Sequence, residues 1–354
     1  MSNRRPPLGL VSVLLTACNA DPTDLPALDY EGERVRVGTE LSEYTPLCRG
    51  DLDALDRRVG LVEQRLGVRR GPPIDIYLME FDEIPCRGDL LGCYRREPDR
   101  DEIFTTWAAV HHEVVHAAAR ELQFASLFWS EGTAEVLSGR STRRETGRVL
   151  TPDDLVANHL DTYLSASHFS RYLVEQHGWE AFGRIVRGDT FDDVLGTSAQ
   201  AVLDAFEGDA PYAYPPLDPC PYPEIPAVDE LTWRAQVTVD CTAPDTTQME
   251  WIEGSSTPLP ATFRRLDLDA GTYAFELSPA GSFFLVGCHT DPLDGPTTPP
   301  SNGDLFNEAD HGFGTEFPHE GVHVLELTEG AYRVAIQAPV LAPFAAELVV
   351  HRVE

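Results

Sequence analysis

Two imidazoles and a carboxylate stand together at His112-Glu113-Val114-Val115-His116. Residues four apart on a helix lie one turn apart on the same face, so both rings can reach one metal ion. Glu113 follows the first ring and can hold a water against such an ion. The surroundings are uncharged: Ala108, Ala109 and Val110 precede the motif, and Val114, Val115 and Ala117 to Ala119 run through and past it. No Pro or Gly interrupts this stretch. A helix this apolar is expected to be buried, and buried His and Glu side chains require partners. A catalytic zinc needs a third protein ligand and one open position. Downstream, Trp129-Ser130-Glu131-Gly132-Thr133-Ala134-Glu135 offers two carboxylates four apart, on one face of a second helix.

At His112-Glu113-x-x-His116 and Glu131-Gly132-x-Ala134 the sequence resembles the gluzincin metallopeptidases, the superfamily of thermolysin and aminopeptidase N. The resemblance covers roughly residues 70–206 and is specific at the metal motif. It implies one Zn2+ per chain, held by His112, His116 and Glu131. Counting spacing as in the aminopeptidase branch lands on Glu135 as the third ligand instead. With Glu131 as ligand, the resemblance implies that Glu135 accepts the far N–H of a zinc-bound His, which fixes its tautomer. The implied activity is hydrolysis of peptide bonds by a metal-activated water, with Glu113 as general base. The segment around Tyr163 and His168 resembles the helix that follows the metal site in such proteins, which makes each of the two a candidate oxyanion donor. His111, His159 and His177 read as surface or packing residues. The Gly-x-Met-x-Asn motif of the aminopeptidase branch is absent, which favours an endopeptidase or an unassigned specificity. The rival reading is a catalytically silent lipoprotein on the same scaffold, with a binding or structural role.

The elements that must position these residues are legible in the periodicity. Arg34 to Gly38, Ile74 to Met79 and Glu102 to Thr106 read as strands, and Asp51 to Leu66, closed by Gly67, as a helix. Trp107 to Leu122 and Ser130 to Ser138 read as the two metal-bearing helices. Thr151-Pro152-Asp153-Asp154 has the composition of a helix start. His168 to Gln176 and Trp179 to Arg187 read as helices around Gly178, and Thr197 to Glu207 as a last one, capped by Thr197 or Ser198. Residues 208–226 form a Pro-rich linker. Beyond it, seven short alternating segments suggest a β-sandwich: Trp233 to Val239, Ala261 to Leu268, Gly271 to Leu277, Phe283 to Cys288, His323 to Leu327, Ala331 to Gln337 and Ala345 to Arg352. Asp269 to Tyr273 and Glu329 to Tyr332 are similar turn-to-strand elements within it. The expected fold class is α+β. The resemblance implies a zincin-like metallopeptidase domain over 33–207, a small N-terminal sheet with the active-site helices, and an all-β sandwich-like domain follows over 227–354.

Arg4 and Arg5, an apolar stretch from Leu8 to Leu15, and Leu15-Thr16-Ala17-Cys18 form a secretory signal. Its end at a cysteine resembles the lipobox of bacterial lipoproteins, which implies cleavage after residue 17, acylation of Cys18 and a location on the cell envelope outside the cytoplasm. An ordinary signal peptide with an incidental cysteine is the alternative. Residues 18–32 then read as a tether. Seven cysteines become Cys18 plus six, and in an oxidising compartment six suggest three disulfides. Cys86 with Cys93, Cys241 with Cys288 and Cys48 with Cys220 is one of fifteen pairings. Acids outnumber bases 58 to 27, for a formal net charge of −31. Such a surface repels nucleic acid and anionic membrane. The resemblance to metallopeptidases implies a peptide or protein substrate; a monomer is expected, with membrane contact only through the anchor.

Overall fold

The computed structural model describes residues 25–39, 47–69, 71–86, 91–97, 99–145, 147–157, 163–217, 220–248, 259–279, 282–288, 315–317, 322–338 and 342–353. Cys18 and His159 lie outside them. The fold is mixed α+β, with six α-helices and several sheets among the described residues.

The first half is built on a five-stranded sheet of order β1-β2-β3-β5-β4: β1 Leu28–Glu31, β2 Val35–Thr39, β3 Ile74–Leu78, β4 Gly92–Arg96 and β5 Asp101–Thr105. The central strands β2, β3 and β5 are parallel, and both edge strands run antiparallel to their neighbours. Side chains alternate across it. Val35, Val37, Ile74, Ile76, Leu78 and Ile103 join the main core, while Tyr77, Met79 and Phe104 form a smaller cluster of their own. Helix α1, Arg49–Leu66, buries Leu55, Val59, Val62 and Leu66 in the main core, and Gly67 closes it at φ 60°. Helices α2, Val110–Ala118, and α3, Leu127–Leu137, follow. Helix α4, Tyr163–Val186, is broken at Gly178, where φ 77° and ψ 170° leave the helical region. The chain continues through α5, Phe191–Leu195, and α6, Ala199–Asp209, which is capped by the Ser198 hydroxyl rather than by Thr197.

Several expectations are corrected here. The tether contains β1, because Leu28 to Glu31 pairs with β2. Helix α2 starts after a 3-10 turn at Trp107–Ala109 and ends four residues early, where Arg120 turns its guanidinium to Asp101. Thr151 opens a loop, with Asp154 accepting its N–H and hydroxyl, and only a 3-10 turn at Asp154–Val156 follows. The Pro-rich stretch is anchored, not free. Its β7, Ala213–Tyr214, pairs with β6, Thr142–Arg143, while Glu224 bridges to Arg265.

The second half forms two five-stranded sheets that share one core. One sheet has the order β10-β11-β16-β13-β14: β10 Thr246–Gln248, β11 Pro260–Leu268, β13 Ser282–Gly287, β14 Thr315–Phe317 and β16 Gly330–Gln337. The other has the order β15-β12-β17-β9-β8: β8 Ala227–Asp229, β9 Thr232–Val239, β12 Gly271–Ser278, β15 Val322–Leu327 and β17 Phe344–Arg352. All seven strand segments read from the sequence are present, within a residue or two at their ends. The two similar turns are corners at which the chain changes sheet: β11 crosses to β12, and β15 crosses back to β16. Leu266-x-Leu268-x-x-Gly271-x-Tyr273 and Leu325-x-Leu327-x-x-Gly330-x-Tyr332 share one spacing. Tyr273 donates its hydroxyl to the Asp269 carbonyl at 2.8 Å, and Tyr332 to the Thr328 carbonyl at 2.7 Å. Leu266 pairs with Tyr332 and Leu325 with Tyr273, so a local pseudo-two-fold relates the corners.

Disulfides join Cys86 to Cys93, Cys48 to Cys241 and Cys220 to Cys288. The local loop agrees with the expected pairing; the other two pairs are exchanged. The reason is docking between the halves. Arg49 donates its N–H to the Cys241 carbonyl at 2.7 Å, which sets the start of α1 against the end of β9. Cys48 therefore meets Cys241, and Cys220, held beside the Glu224–Arg265 bridge, meets Cys288. Three disulfides fit a non-cytoplasmic location. Among the described residues, no helix is long and apolar enough to cross a membrane. Non-reducing peptide mapping should recover these three pairs. Replacing Cys48 and Cys241 together by Ser should cost about 2–5 kcal/mol of unfolding free energy, read by denaturant titration.

Candidate metal centre

The motif residues lie on α2, whose Val110, Val114, Val115, Ala117 and Ala118 are buried. That apolar side fixes the helix in the core and turns His112 and His116 to α3, with Glu113 against Gly92 of the sheet edge. The Nε2 atoms of His112 and His116 are 3.0 Å apart. Glu131 Oε2 lies 3.0 Å from the first and 3.4 Å from the second. One ligand atom from each of His112, His116 and Glu131 falls within 4.8 Å of the others. Two ring nitrogens and a carboxylate oxygen converging on one point is the donor set of a three-ligand zinc site.

Helix α3 brings Glu131 into place because Gly132 lets it approach α4. A Cβ at Gly132 would lie 2.7 Å from the Ala166 carbonyl and 2.5 Å from Ser170 Oγ. A small residue after the acid is thus a packing requirement. One turn on, Glu135 sits behind the first ring: its Oε1 is 2.7 Å from His112 Nδ1, the nitrogen facing away from the cluster. Of the two acids, Glu131 therefore faces the converging nitrogens and Glu135 the back of His112. Ser130 Oγ lies 3.3 Å from His116 Nδ1, so a side-chain oxygen stands near the far nitrogen of each imidazole. The sequence reading missed Ser130, although it directly precedes Glu131. Arg140 reaches back from beyond α3 to the Ala108 carbonyl and ties α3 to the turn before α2.

The charges respond to one another. Burial alone lowers the His112 imidazole, yet hydrogen bonds to Glu131 and Glu135, and the charges of both, push it up to about 10. Burial raises Glu131 in turn, but His116 and His112 hold it well below the usual carboxylate range. Glu135 is lowered against its burial, mainly by His112. A proton on His112 and a cation at Nε2 answer the same negative surroundings, so the site suits a cation. Burial pushes the Glu113 carboxyl up.

Tyr163 opens α4, with its ring 6.3 Å from that of His112 and its phenol near enough to Glu131, Glu113 and Glu135 to feel their charges. Burial and the nearby carboxylates raise the phenol, which stays protonated as a donor. His168 is not brought to the cluster. Its ring is 0% exposed, packed against Phe206 and Tyr214, with Nε2 2.9 Å from the Pro211 carbonyl and Nδ1 3.5 Å from Thr142 Oγ1. Its role there is to pin the Pro-rich segment to α4. His111 sits edge-on to Trp107, 5.7 Å between ring centres, in a packing role.

Burial lowers His168 from 6.5 to about 4. The unfolded chain then takes up the proton first as pH falls. Stability from this residue is whole above about pH 6.5 and is lost towards pH 4, up to about 3 kcal/mol. His168→Gln should flatten the fall of melting temperature between pH 6.5 and 4.5, measured beside the parent protein. An unchanged slope would mean that His168 charges freely in the folded state.

Compared with protein-family models, characterised proteins and solved structures, the chain shows no match.

Proposed function

We propose that this chain is a zinc-dependent peptidase of gluzincin type, exported and anchored through Cys18. The observation that carries the reading is the convergence of His112, His116 and Glu131 on one point, with a side-chain oxygen near each far imidazole nitrogen. The sheet with α2 packed on it and α3 against α2 agrees with a zincin-like arrangement, and three disulfides agree with export.

His112, His116 and Glu131 would hold the ion, while Glu135 and Ser130 fix the imidazole tautomers. When bound, zinc supplies Lewis acidity that polarises a peptide carbonyl and eases deprotonation of a water. Glu113 accepts the proton of the attacking water and passes it to the leaving amine. Tyr163 donates its hydroxyl hydrogen bond to the oxyanion that forms as the carbonyl is attacked. The substrate is a peptide or protein, and the chain acts as a monomer.

Residues 19–354, produced in an oxidising compartment, should carry about one zinc per chain by mass spectrometry. His116→Ala should remove it, and Glu135→Ala should weaken zinc about 10–100-fold in a chelator competition. A folded parent protein that takes up no zinc would sink the reading. Glu113→Gln should retain zinc and lose at least about 100-fold of turnover on labelled casein. Full turnover in that variant would remove Glu113 from the role of base.

A further inference from the structure

Gly92 opens β4, the edge strand nearest the metal motif, and pairs with Thr105 of β5. A Cβ on Gly92 would lie 2.8 Å from Glu113 Cγ, 2.5 Å from Thr105 Oγ1 and 2.9 Å from Thr105 Cβ. Side chains do not approach so closely, and the Thr105 wall does not give way easily. Thr105 is 0% exposed, and its hydroxyl donates to the Leu91 carbonyl at 3.2 Å. The Thr106 N–H donates to the same carbonyl at 2.9 Å, and Cys93 on the other side is tied to Cys86. The strand is therefore held on both sides of Gly92 and cannot withdraw from α2. The α2 backbone is fixed by buried Val114 and Val115. The one part free to move is the Glu113 side chain beyond Cβ.

We infer that Gly92 is a positioning residue for Glu113: the bare backbone of β4 forms the wall that sets where the Glu113 carboxylate stands. This inference rests on the peptidase reading, in which that carboxylate must meet both the attacking water and the leaving amine. Displacing such a group by about 1 Å costs on the order of 100-fold in rate. Zinc binding does not involve Glu113, so the metal is untouched by the same displacement.

The test compares Gly92→Ala with the parent protein by crystal structure, zinc content, and kcat and KM on labelled casein. The expected result is a Glu113 carboxylate moved by about 1 Å, kcat lowered about 100-fold, KM within about twofold, and unchanged zinc. The double variant Gly92→Ala/Thr105→Ala removes the 2.5 Å Oγ1 collision and leaves the contacts with Glu113 Cγ at 2.8 Å and with the residue-105 Cβ at 2.9 Å. It should keep the loss, and it carries the comparison if the single variant does not accumulate. Parent-like kcat in either variant, or a Glu113 carboxylate that has not moved, overturns the inference while leaving the peptidase reading intact. A parent protein without zinc, or with turnover indifferent to Glu113→Gln, overturns that reading and this inference with it.

Discussion

The approach of α3 to α2 is the constraint on which the rest depends. His112 and His116 are fixed relative to each other by the helix repeat, and their Nε2 atoms face each other at 3.0 Å. Two such nitrogens repel unless a proton or a cation stands between them. Glu131 sets the sign of that position, and it arrives only because Gly132 lets α3 settle against Ala166 and Ser170 of α4. The position of α4 thus decides, through one missing methyl group, whether the imidazole pair has an anionic partner. Glu135 then answers His112 from behind, and Arg140 lies close enough to lower Glu135 further. Because Arg140 also holds the Ala108 carbonyl, the charge that steadies Glu135 closes a link between the end of α3 and the start of α2.

The sheet bounds the same space from the other side. Its parallel centre is buried against the helices, as the apolar alternation of β3 requires, and β4 pairs antiparallel at the edge. Glu113 lies where this edge meets α2, while His112 and His116 face α3. The two sides therefore divide the work: α3 supplies the anionic donor and the imidazole partners, and β4 supplies a wall. The second half enters through α1. Cys48 caps that helix and is bonded to Cys241, so the sandwich is fastened to the element on which α2 packs.

Periodic elements were legible in the sequence; elements defined by their neighbours were not. Helix α1 and the seven sandwich segments carry apolar spacing set by a single buried face, which one strand or helix displays by itself. Strand β4, Gly-Cys-Tyr-Arg-Arg, carries no such pattern, because one of its half-buried positions is taken by a charged residue, Arg95, paired to buried Glu102. Strand β1 is four residues whose evidence is its pairing with β2. Disulfide partners depend on docking between halves, which no local pattern encodes, and only the seven-residue Cys86–Cys93 loop was local enough to read.

The candidate site shows the same division at finer grain. His112, Glu113, His116 and Glu131 stand in two short motifs, and their convergence follows from helix geometry once two helices touch. The second candidate donor does not survive that geometry. Tyr163 and His168 are five residues apart, which turns one about 140° from the other around a helix. One helix face could therefore present at most one of them to the metal motif. Tyr163 stands at the helix start beside Glu131, and His168 turns to the opposite packing surface with Phe206 and Tyr214. Spacing alone excluded the pair; choosing between them required knowing which side of α4 meets α3, and that choice belongs to Gly132.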